Sequence, residues 1–233
     1  MPIQEILNCC ISVLLPTDCA ICGKNASFYP LPICKRCKNL ILAEKPPSIS
    51  SRETLEGIYS CRFYKRAFRK CIKEFKYHGN RQLLSLFEEI ISQFVGSTSS
   101  CDNPDPPRAH APDLRSSDLI IPVPIHPQKR HIRGFNQSEL IARILSGCLS
   151  LPISSRALIK TRNTASQMAL PRKMRVNNLK NSFAVIDRLS LAGKAIILVD
   201  DVMTTGVTLE SCSRELLNSG AKSVKAFTLA RTL

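Results

Sequence analysis

Uninterrupted apolar runs in the second half of the chain predict strands that are buried on both faces. Residues 195–199 are five consecutive apolar residues, and a second run covers 119–121 and continues into Pro122-Val123-Pro124. Such runs are typical of a parallel sheet covered by helices. Helical spacing of apolar residues follows the first run, and Gly220 then precedes a further strand over 221–231. The pattern predicts a βαβ unit and therefore an α/β fold.

Other periodic stretches predict further elements. Alternation over 58–64 is typical of a half-exposed strand, and residues 66–77 predict a helix with Phe68 and Phe75 on its apolar side. Further helices are expected over 83–95 and from Asn136 or Gln137 to about 149. Residues 3–15 are expected to form a short amphipathic helix that packs on the main domain. The residues between His126 and Gln137 are expected to form a loop.

Polar and proline-rich stretches divide the chain. Residues 43–56 contain Pro46-Pro47 and predict a linker, whereas 96–117 is a low-complexity stretch that predicts a flexible insertion. The resulting division is an N-terminal module over 1–45, with a helix and a cysteine-rich segment, and a larger domain over 55–233.

Composition narrows the classes of partner. The chain has 233 residues, enough for one substantial core and a small module, and its 33 Lys and Arg against 18 Asp and Glu give a net charge of +15. Such a charge favours polyanions, which include nucleic acid and phosphorylated metabolites. An odd count of 11 cysteines, with no signal segment and no apolar stretch long enough to span a membrane, predicts a cytoplasmic protein.

Four cysteines have the spacing of a tetrahedral metal site. Cys19-x2-Cys22 and Cys34-x2-Cys37 are separated by eleven residues. A redox role is the alternative for a single Cys-x-x-Cys motif, but two adjacent pairs favour Zn²⁺. Because the protein would fill all four positions, the expected zinc is structural.

The strand over 195–199 leads into the most informative residues of the chain. Asp200 and Asp201 are expected at its carboxyl end, where ligands of open α/β sheets bind. The turn that follows, with Thr204, Thr205, Gly206, Val207 and Thr208, supplies hydroxyl groups and the free amides of a helix N-terminus, which suit a phosphate. Two carboxylates beside a phosphate repel it unless ribose hydroxyls or Mg²⁺ lie between them. These residues predict a sugar-phosphate site, although paired aspartates can also cap a helix.

Basic segments accompany this predicted site. Arg133 and the backbone of Gly134 are expected near a helix N-terminus, where pyrophosphate could bind, and His126 and His131 are loop or phosphate-contact candidates. Eight basic residues against one acid lie between Arg62 and Arg81, interleaved with aromatics. This basic stripe is typical of a nucleic-acid surface, or of core aromatics beside a solvated face. Residues 140–186 contain no acid and could close over a polyphosphate.

Together these motifs resemble the competence protein F (ComF) family. The resemblance rests on the four cysteines, Pro122-Val123-Pro124, 133–137, Thr164 with Gln167, Arg175 with Asn178, and 199–206. It implies a type I phosphoribosyltransferase-like parallel sheet flanked by helices, with a small N-terminal zinc-ribbon module. It also implies that Asp200 and Asp201 contact ribose hydroxyls of phosphoribosyl pyrophosphate (PRPP), that 204–208 hold its 5′-phosphate, and that Arg130 and Arg133 meet pyrophosphate.

Two functions are compatible with these residues, and a third, a purely structural interaction protein, is weaker because it leaves residues 200–208 unexplained. The first is Mg²⁺-dependent transfer of the phosphoribosyl group of PRPP to an unidentified acceptor, within a family linked to DNA uptake. The second is a non-catalytic, nucleic-acid-associated accessory or nucleotide-sensing factor, with single-stranded DNA or DNA-uptake proteins as partners. The intact acid pair favours the first, and the net charge and basic stripe favour the second.

Overall fold

The computed structural model describes residues 18–24, 26, 31–96, 114–162 and 182–232. Several sequence predictions fall outside these described residues. They are the helix over 3–15, residues 97–113 of the predicted insertion, and the basic stretch over 163–181, which contains Thr164, Gln167, Arg175 and Asn178.

Seven strands are present in the described part of the chain: β1 (Ser50–Arg52), β2 (Leu55–Phe63), β3 (Leu119–Pro122), β4 (Leu158–Lys160), β5 (Phe183–Val185), β6 (Ala195–Met203) and β7 (Ser223–Arg231). Five of them form one sheet in the order β1-β2-β7-β6-β3. Strands β2, β7, β6 and β3 are parallel, and β1 is an antiparallel edge strand. Strands β4 and β5 form a separate antiparallel pair.

The helices are α1 (Lys35–Leu42), α2 (Arg66–Tyr77), α3 (Leu84–Gly96), α4 (Pro127–Arg133), α5 (Gln137–Leu149) and α6 (Val207–Asn218), with a short 3₁₀ turn, Arg81–Leu83, before α3. Helix α6 connects β6 to β7, which confirms the predicted βαβ unit. Helices α2, α3 and α5 lie within a residue or so of their predicted positions, because their apolar periodicity is strong.

Apolar residues cover both faces of the sheet. Ile197 and Val199 of β6 belong to a buried cluster that includes residues of α2, α3 and α5. Ile196 and Leu198 belong to a second cluster, with residues of α6 and of the β4–β5 pair. Alternate residues of the same strand therefore enter opposite cores, as the uninterrupted apolar run predicted.

Two local predictions are wrong. Residues 58–62 are all buried, so β2 is not half-exposed. Its polar side chains are satisfied internally, since Ser60 Oγ lies 2.8 Å from Thr228 Oγ1 of β7 and Arg62 bonds to backbone carbonyls. The predicted loop after β3 contains a helix, α4, in which Pro127 occupies the first turn and His126 is the N-cap.

The cysteine-rich segment shares the main core. Cys19, Cys37 and Ile41 lie in the same buried cluster as Phe68 and Phe75 of α2. Three side chains reinforce the contact: Lys70 donates to the Ile21 carbonyl (2.6 Å), Arg62 donates to the Ile41 (3.0 Å) and Leu42 (3.2 Å) carbonyls, and Lys38 pairs with Glu89 (2.6 Å). The predicted division at 45 and 55 stays a prediction. Among the described helices, none is long and apolar enough to cross a membrane.

Candidate functional site

Asp200 and Asp201 lie near the C-terminal end of β6, at the carboxyl edge of the sheet. Asp200 Oδ1 accepts hydrogen bonds from Ser138 Oγ of α5 and from the backbone N–H of Asp201, both at 2.9 Å. Asp201 is 5% exposed, and its Oδ2 lies 2.7 Å from Lys76 Nζ of α2. Two helices that are distant in sequence therefore hold the acid pair.

The two carboxylates and Lys76 form one electrostatic unit. Burial and the neighbouring Asp201 carboxylate raise the pKa of Asp200 to about 6, against the opposing effect of Lys76. Burial disfavours the ammonium form of Lys76, but the charges of Asp201 and Asp200 and the hydrogen bond to Asp201 together outweigh burial, so the pKa of Lys76 is raised. Perturbed carboxyl groups of this kind are common at functional sites.

A cavity of about 350 Å³ opens over the acid pair. Besides Lys76, three cationic side chains line it: Lys129, Arg133 and Lys160. Burial lowers the pKa of Lys129, and the charges of Arg133 and Lys76 lower it further. Burial and the charge of Lys129 likewise lower the pKa of Lys160. Cations that disfavour one another's charge are stabilised by a bound anion, so the cavity is suited to a polyanionic ligand.

The turn after β6 lies at the same edge. Gly206 has φ +80° and is the N-cap of α6, a left-handed conformation that favours glycine. Arg52 of β1 packs against this turn, donating to the Thr205 carbonyl at 2.8 Å and to Glu210 Oε1 at 3.1 Å. A Cβ at Gly206 would lie 3.0 Å from the Arg52 guanidinium carbon. The turn is therefore enclosed from outside, while Thr204 and Thr208 line the cavity.

The structure brings together only some of the predicted ligand residues. Asp200, Asp201, Thr204, Thr208 and Arg133 line the cavity, whereas Thr205, Gly206, Val207, Arg130 and Gly134 are not among its lining residues. The Arg130 side chain is 62% exposed and lies 3.5 Å from Glu139, and Gly134 ends α4 with φ +78°.

Sequence analysis assigns no individual role to four residues of the site. Lys76, Lys129, Lys160 and Ser138 come from four separate elements or their flanks. Lys129 directly precedes a predicted ligand residue, and Ser138 opens a predicted helix, so position gave some signal for both. Lys160 belongs to the acid-free stretch over 140–186 and Lys76 to the basic stripe, but only the tertiary fold shows that these two lysines reach the acid pair on β6.

The four predicted metal ligands also meet. The sulfur atoms of Cys19, Cys22, Cys34 and Cys37 all lie within 4.8 Å of one another. Gly23 takes φ +68° after the first pair, and the Cys34 backbone N–H donates to Cys19 Sγ at 3.3 Å. Although burial opposes the thiolate, amide donors lower the pKa of Cys19 to about 6. Four clustered thiols with amide donors fit a structural Zn²⁺, and these residues leave no coordination position open for catalysis.

The basic stripe between Arg62 and Arg81 has a mixed role. Phe68 and Phe75 are core residues, and Arg62, Lys70 and Lys76 make the internal contacts described above. Other members form cation–aromatic pairs beside the cavity: Lys65 with Phe63 (4.9 Å) and Arg69 with Tyr64 (5.9 Å). The core interpretation therefore holds for part of the stripe, and a charged aromatic surface remains.

Comparisons with known proteins agree with this arrangement. The phosphoribosyl transferase domain family model matches residues 138–233. The DNA utilization protein YhgH of Shigella flexneri is 32% identical over 217 residues, which cover 93% of this chain and 85% of that protein. Competence protein F of Haemophilus influenzae is 34% identical over 128 residues (54% and 55%), and ComFC of Bacillus subtilis is 28% identical over 215 residues (92% and 78%).

Solved structures give weaker matches. Glutamine PRPP amidotransferase from B. subtilis aligns with a TM-score of 0.37 and 18% identity, over 61% of this chain and 26% of that one. Purine phosphoribosyltransferase from Pyrococcus horikoshii aligns with a TM-score of 0.32 and 20% identity, over 51% and 72%. Because both TM-scores are below 0.5, the fold assignment rests on the sheet topology and the family model.

The sheet of mainly parallel strands is flanked by helices, and the matched phosphoribosyl transferase domain contains its strands β6 and β7. Together with the four-cysteine cluster, these features define a phosphoribosyltransferase-like protein with an N-terminal four-cysteine module. The similarity to YhgH over nearly the whole chain, and to competence protein F and ComFC, identifies the family within this class. The chain belongs to the ComF family.

Proposed function

We propose that this protein binds PRPP together with Mg²⁺ and transfers the phosphoribosyl group to a nucleophilic acceptor. The observation that carries the proposal is the cavity itself, in which Asp200 and Asp201 share one space with Lys76, Lys129, Arg133 and Lys160. Carboxylates suit sugar hydroxyls and cations suit phosphates, and a sugar pyrophosphate contains both groups.

Each part of the cavity has a matching part of PRPP. Asp200 and Asp201 would accept hydrogen bonds from the ribose 2′ and 3′ hydroxyls, and the turn over 204–208 would hold the 5′-phosphate at the N-terminus of α6. Lys129, Arg133 and Lys160 would neutralise the pyrophosphate as the bond from the anomeric carbon to its oxygen breaks and the bond to the acceptor forms. The leaving pyrophosphate takes the electron pair with it.

Mg²⁺ suits these residues only as part of the ligand complex. Asp201 is already paired with Lys76, so the acid pair does not form a complete cation cage. Mg²⁺ commonly binds through one or two carboxylates together with substrate phosphates and waters. Bound in this way, the ion would supply further charge neutralisation on the pyrophosphate.

Calorimetric titration of PRPP into the zinc-loaded protein, with and without Mg²⁺, tests the proposal. We expect Mg²⁺-dependent binding by the wild type and its loss in Asp200→Asn with Asp201→Asn. The matched control is Glu56→Gln with Glu88→Gln, which changes the charge equally at two exposed positions and should leave binding intact. Absence of binding by the folded wild type would contradict the proposal.

A second candidate function, nucleic-acid association, is favoured by the aromatic surface beside the cavity. Tyr77 is 55% exposed and lies under Arg133, with 5.8 Å between the guanidinium carbon and the ring centre. Tyr64 also lines the cavity and pairs with Arg69. Aromatic rings with adjacent cations bind single-stranded nucleic acid by stacking and charge. The names of the relatives, DNA utilization protein and competence protein, agree with such a role.

Fluorescence anisotropy of a labelled single-stranded DNA tests this candidate. Replacement of Lys65, Arg69 and Lys73 by Ser should weaken DNA binding and flatten its salt dependence between about 50 and 200 mM, since fewer phosphates are neutralised. Replacement of the exposed Arg188, Arg214 and Lys222 by Ser removes the same charge elsewhere and should have little effect. Equal losses in the two variants would contradict a specific surface.

A further inference from the structure

Gln137, the first residue of α5, has an amide group that the protein uses at one end only. The side chain is 1% exposed, and its Oε1 accepts a hydrogen bond from Arg133 Nη1 at 2.7 Å. A guanidinium can only donate, so the atom facing it must be the amide oxygen. The orientation of the amide is therefore fixed, and Nε2 is directed away from Arg133.

The Nε2 atom has no hydrogen-bond partner among the described residues. The neighbouring amide of Asn136 shows the contrast, because its Nδ2 donates to the Val123 carbonyl (3.1 Å) and its Oδ1 accepts from the Ser138 N–H (3.1 Å). A buried amide donor without a partner is destabilising, because it has lost its hydrogen bonds to water. Gln137 also lines the cavity, next to Ser138, which holds Asp200.

We infer that Gln137 contacts the ligand directly and that its Nε2 donates to a phosphate oxygen. Arg133 acts on this donor as well as on the ligand, because it selects the amide orientation that presents N–H groups. The side chains proposed to hold the pyrophosphate, Lys129, Arg133 and Lys160, are all cations, so the amide of Gln137 adds a directed, uncharged donor beside them. The inference rests on the proposed function, since it assigns a residue to the ligand of the same cavity.

The test is the substitution Gln137→Glu, which keeps the shape of the side chain and an acceptor for Arg133 but replaces the donor with an oxygen. Calorimetry should show PRPP binding weakened about tenfold or more, while the melting temperature stays unchanged or rises. Gln137→Leu, which removes the amide without adding charge, should also weaken binding and serves if the first variant does not fold. Gln82→Glu, an exposed glutamine outside the cavity, is the matched control.

Separate titrations with inorganic pyrophosphate and with ribose 5-phosphate identify which phosphate the amide contacts. A loss confined to one of the two ligands assigns Nε2 to that group. Wild-type affinity for PRPP and for both partial ligands in Gln137→Glu and Gln137→Leu would overturn the inference while leaving the proposed function intact. Failure of the wild type itself to bind PRPP would instead contradict the proposed function.

Discussion

Asp200 and Asp201 are neighbours in sequence but occupy different electrostatic environments. Asp201 has a direct cationic partner in Lys76 and accepts a backbone bond from Val202 at 2.7 Å, whereas Asp200 is held by a neutral hydroxyl and an amide. The two side chains contact different helices, since Asp200 accepts from Ser138 of α5 and Asp201 pairs with Lys76 of α2. Burial, followed by the neighbouring Asp201 carboxylate, raises the pKa of Asp200 to about 6 despite the hydrogen bonds that it accepts.

The raised pKa of Asp200 predicts a pH-dependent effect on stability. Because the folded state binds the Asp200 proton more tightly than the unfolded chain, the wild type loses stability as the pH rises from about 4 to about 6. Asp200→Asn removes this loss and keeps an oxygen for Ser138. We expect urea unfolding at pH 8 to show a gain of about 3 kcal/mol in the free energy of unfolding of the variant, which shrinks towards pH 5. A constant difference across this range would show that Asp200 has an ordinary pKa.

At the scale of elements, the sequence predicts secondary structure best where residues close together in the chain determine it. The run over 195–199, its turn and α6 form a local unit, and their positions follow from apolar periodicity and glycine placement. Strand β2 was misjudged because its burial depends on β7 and α1, which are distant in sequence. Lys76 and Lys160 lie in basic segments that the sequence singles out, but no local pattern shows which lysines a fold brings to a shared sheet edge.

The contact between β1 and the turn after β6 predicts an effect on ligand affinity. Arg52→Met removes the bonds to the Thr205 carbonyl and Glu210 and frees the turn to move, so we expect ribose 5-phosphate to bind several-fold more weakly. The melting temperature should change little, because an exposed ion pair contributes about 0–1 kcal/mol. Calorimetry on this variant, with the exposed Arg214→Met as control, checks the prediction. A fall in stability with unchanged affinity would make Arg52 a purely structural residue.

At the scale of the whole molecule, α2 connects the cysteine cluster to the acid pair. Its Lys70 bonds to the carbonyl of Ile21, between Cys19 and Cys22, and its Lys76 bonds to Asp201. Arg62, 3% exposed, fixes the end of α1 to β2 by donating to the Ile41 and Leu42 carbonyls. A buried guanidinium is expensive to leave unpaired, so these carbonyls must stay in place. The metal module and the sheet are therefore expected to be stable together or not at all.

Removal of the metal ligands should accordingly destabilise the entire chain. Cys22 is exposed, so Cys22→Ser removes a zinc ligand without opening the core, and we expect one cooperative thermal transition lowered by roughly 10 °C. A zinc chelator should have the same effect on the wild type, whereas Cys148→Ser, outside the cluster, should respond to the chelator as the wild type does. Differential scanning calorimetry distinguishes one cooperative transition of the whole chain from separate unfolding of the metal module. Two transitions, with the later one at the wild-type temperature, would mean that the module unfolds alone and that the shared core does not couple it to the sheet.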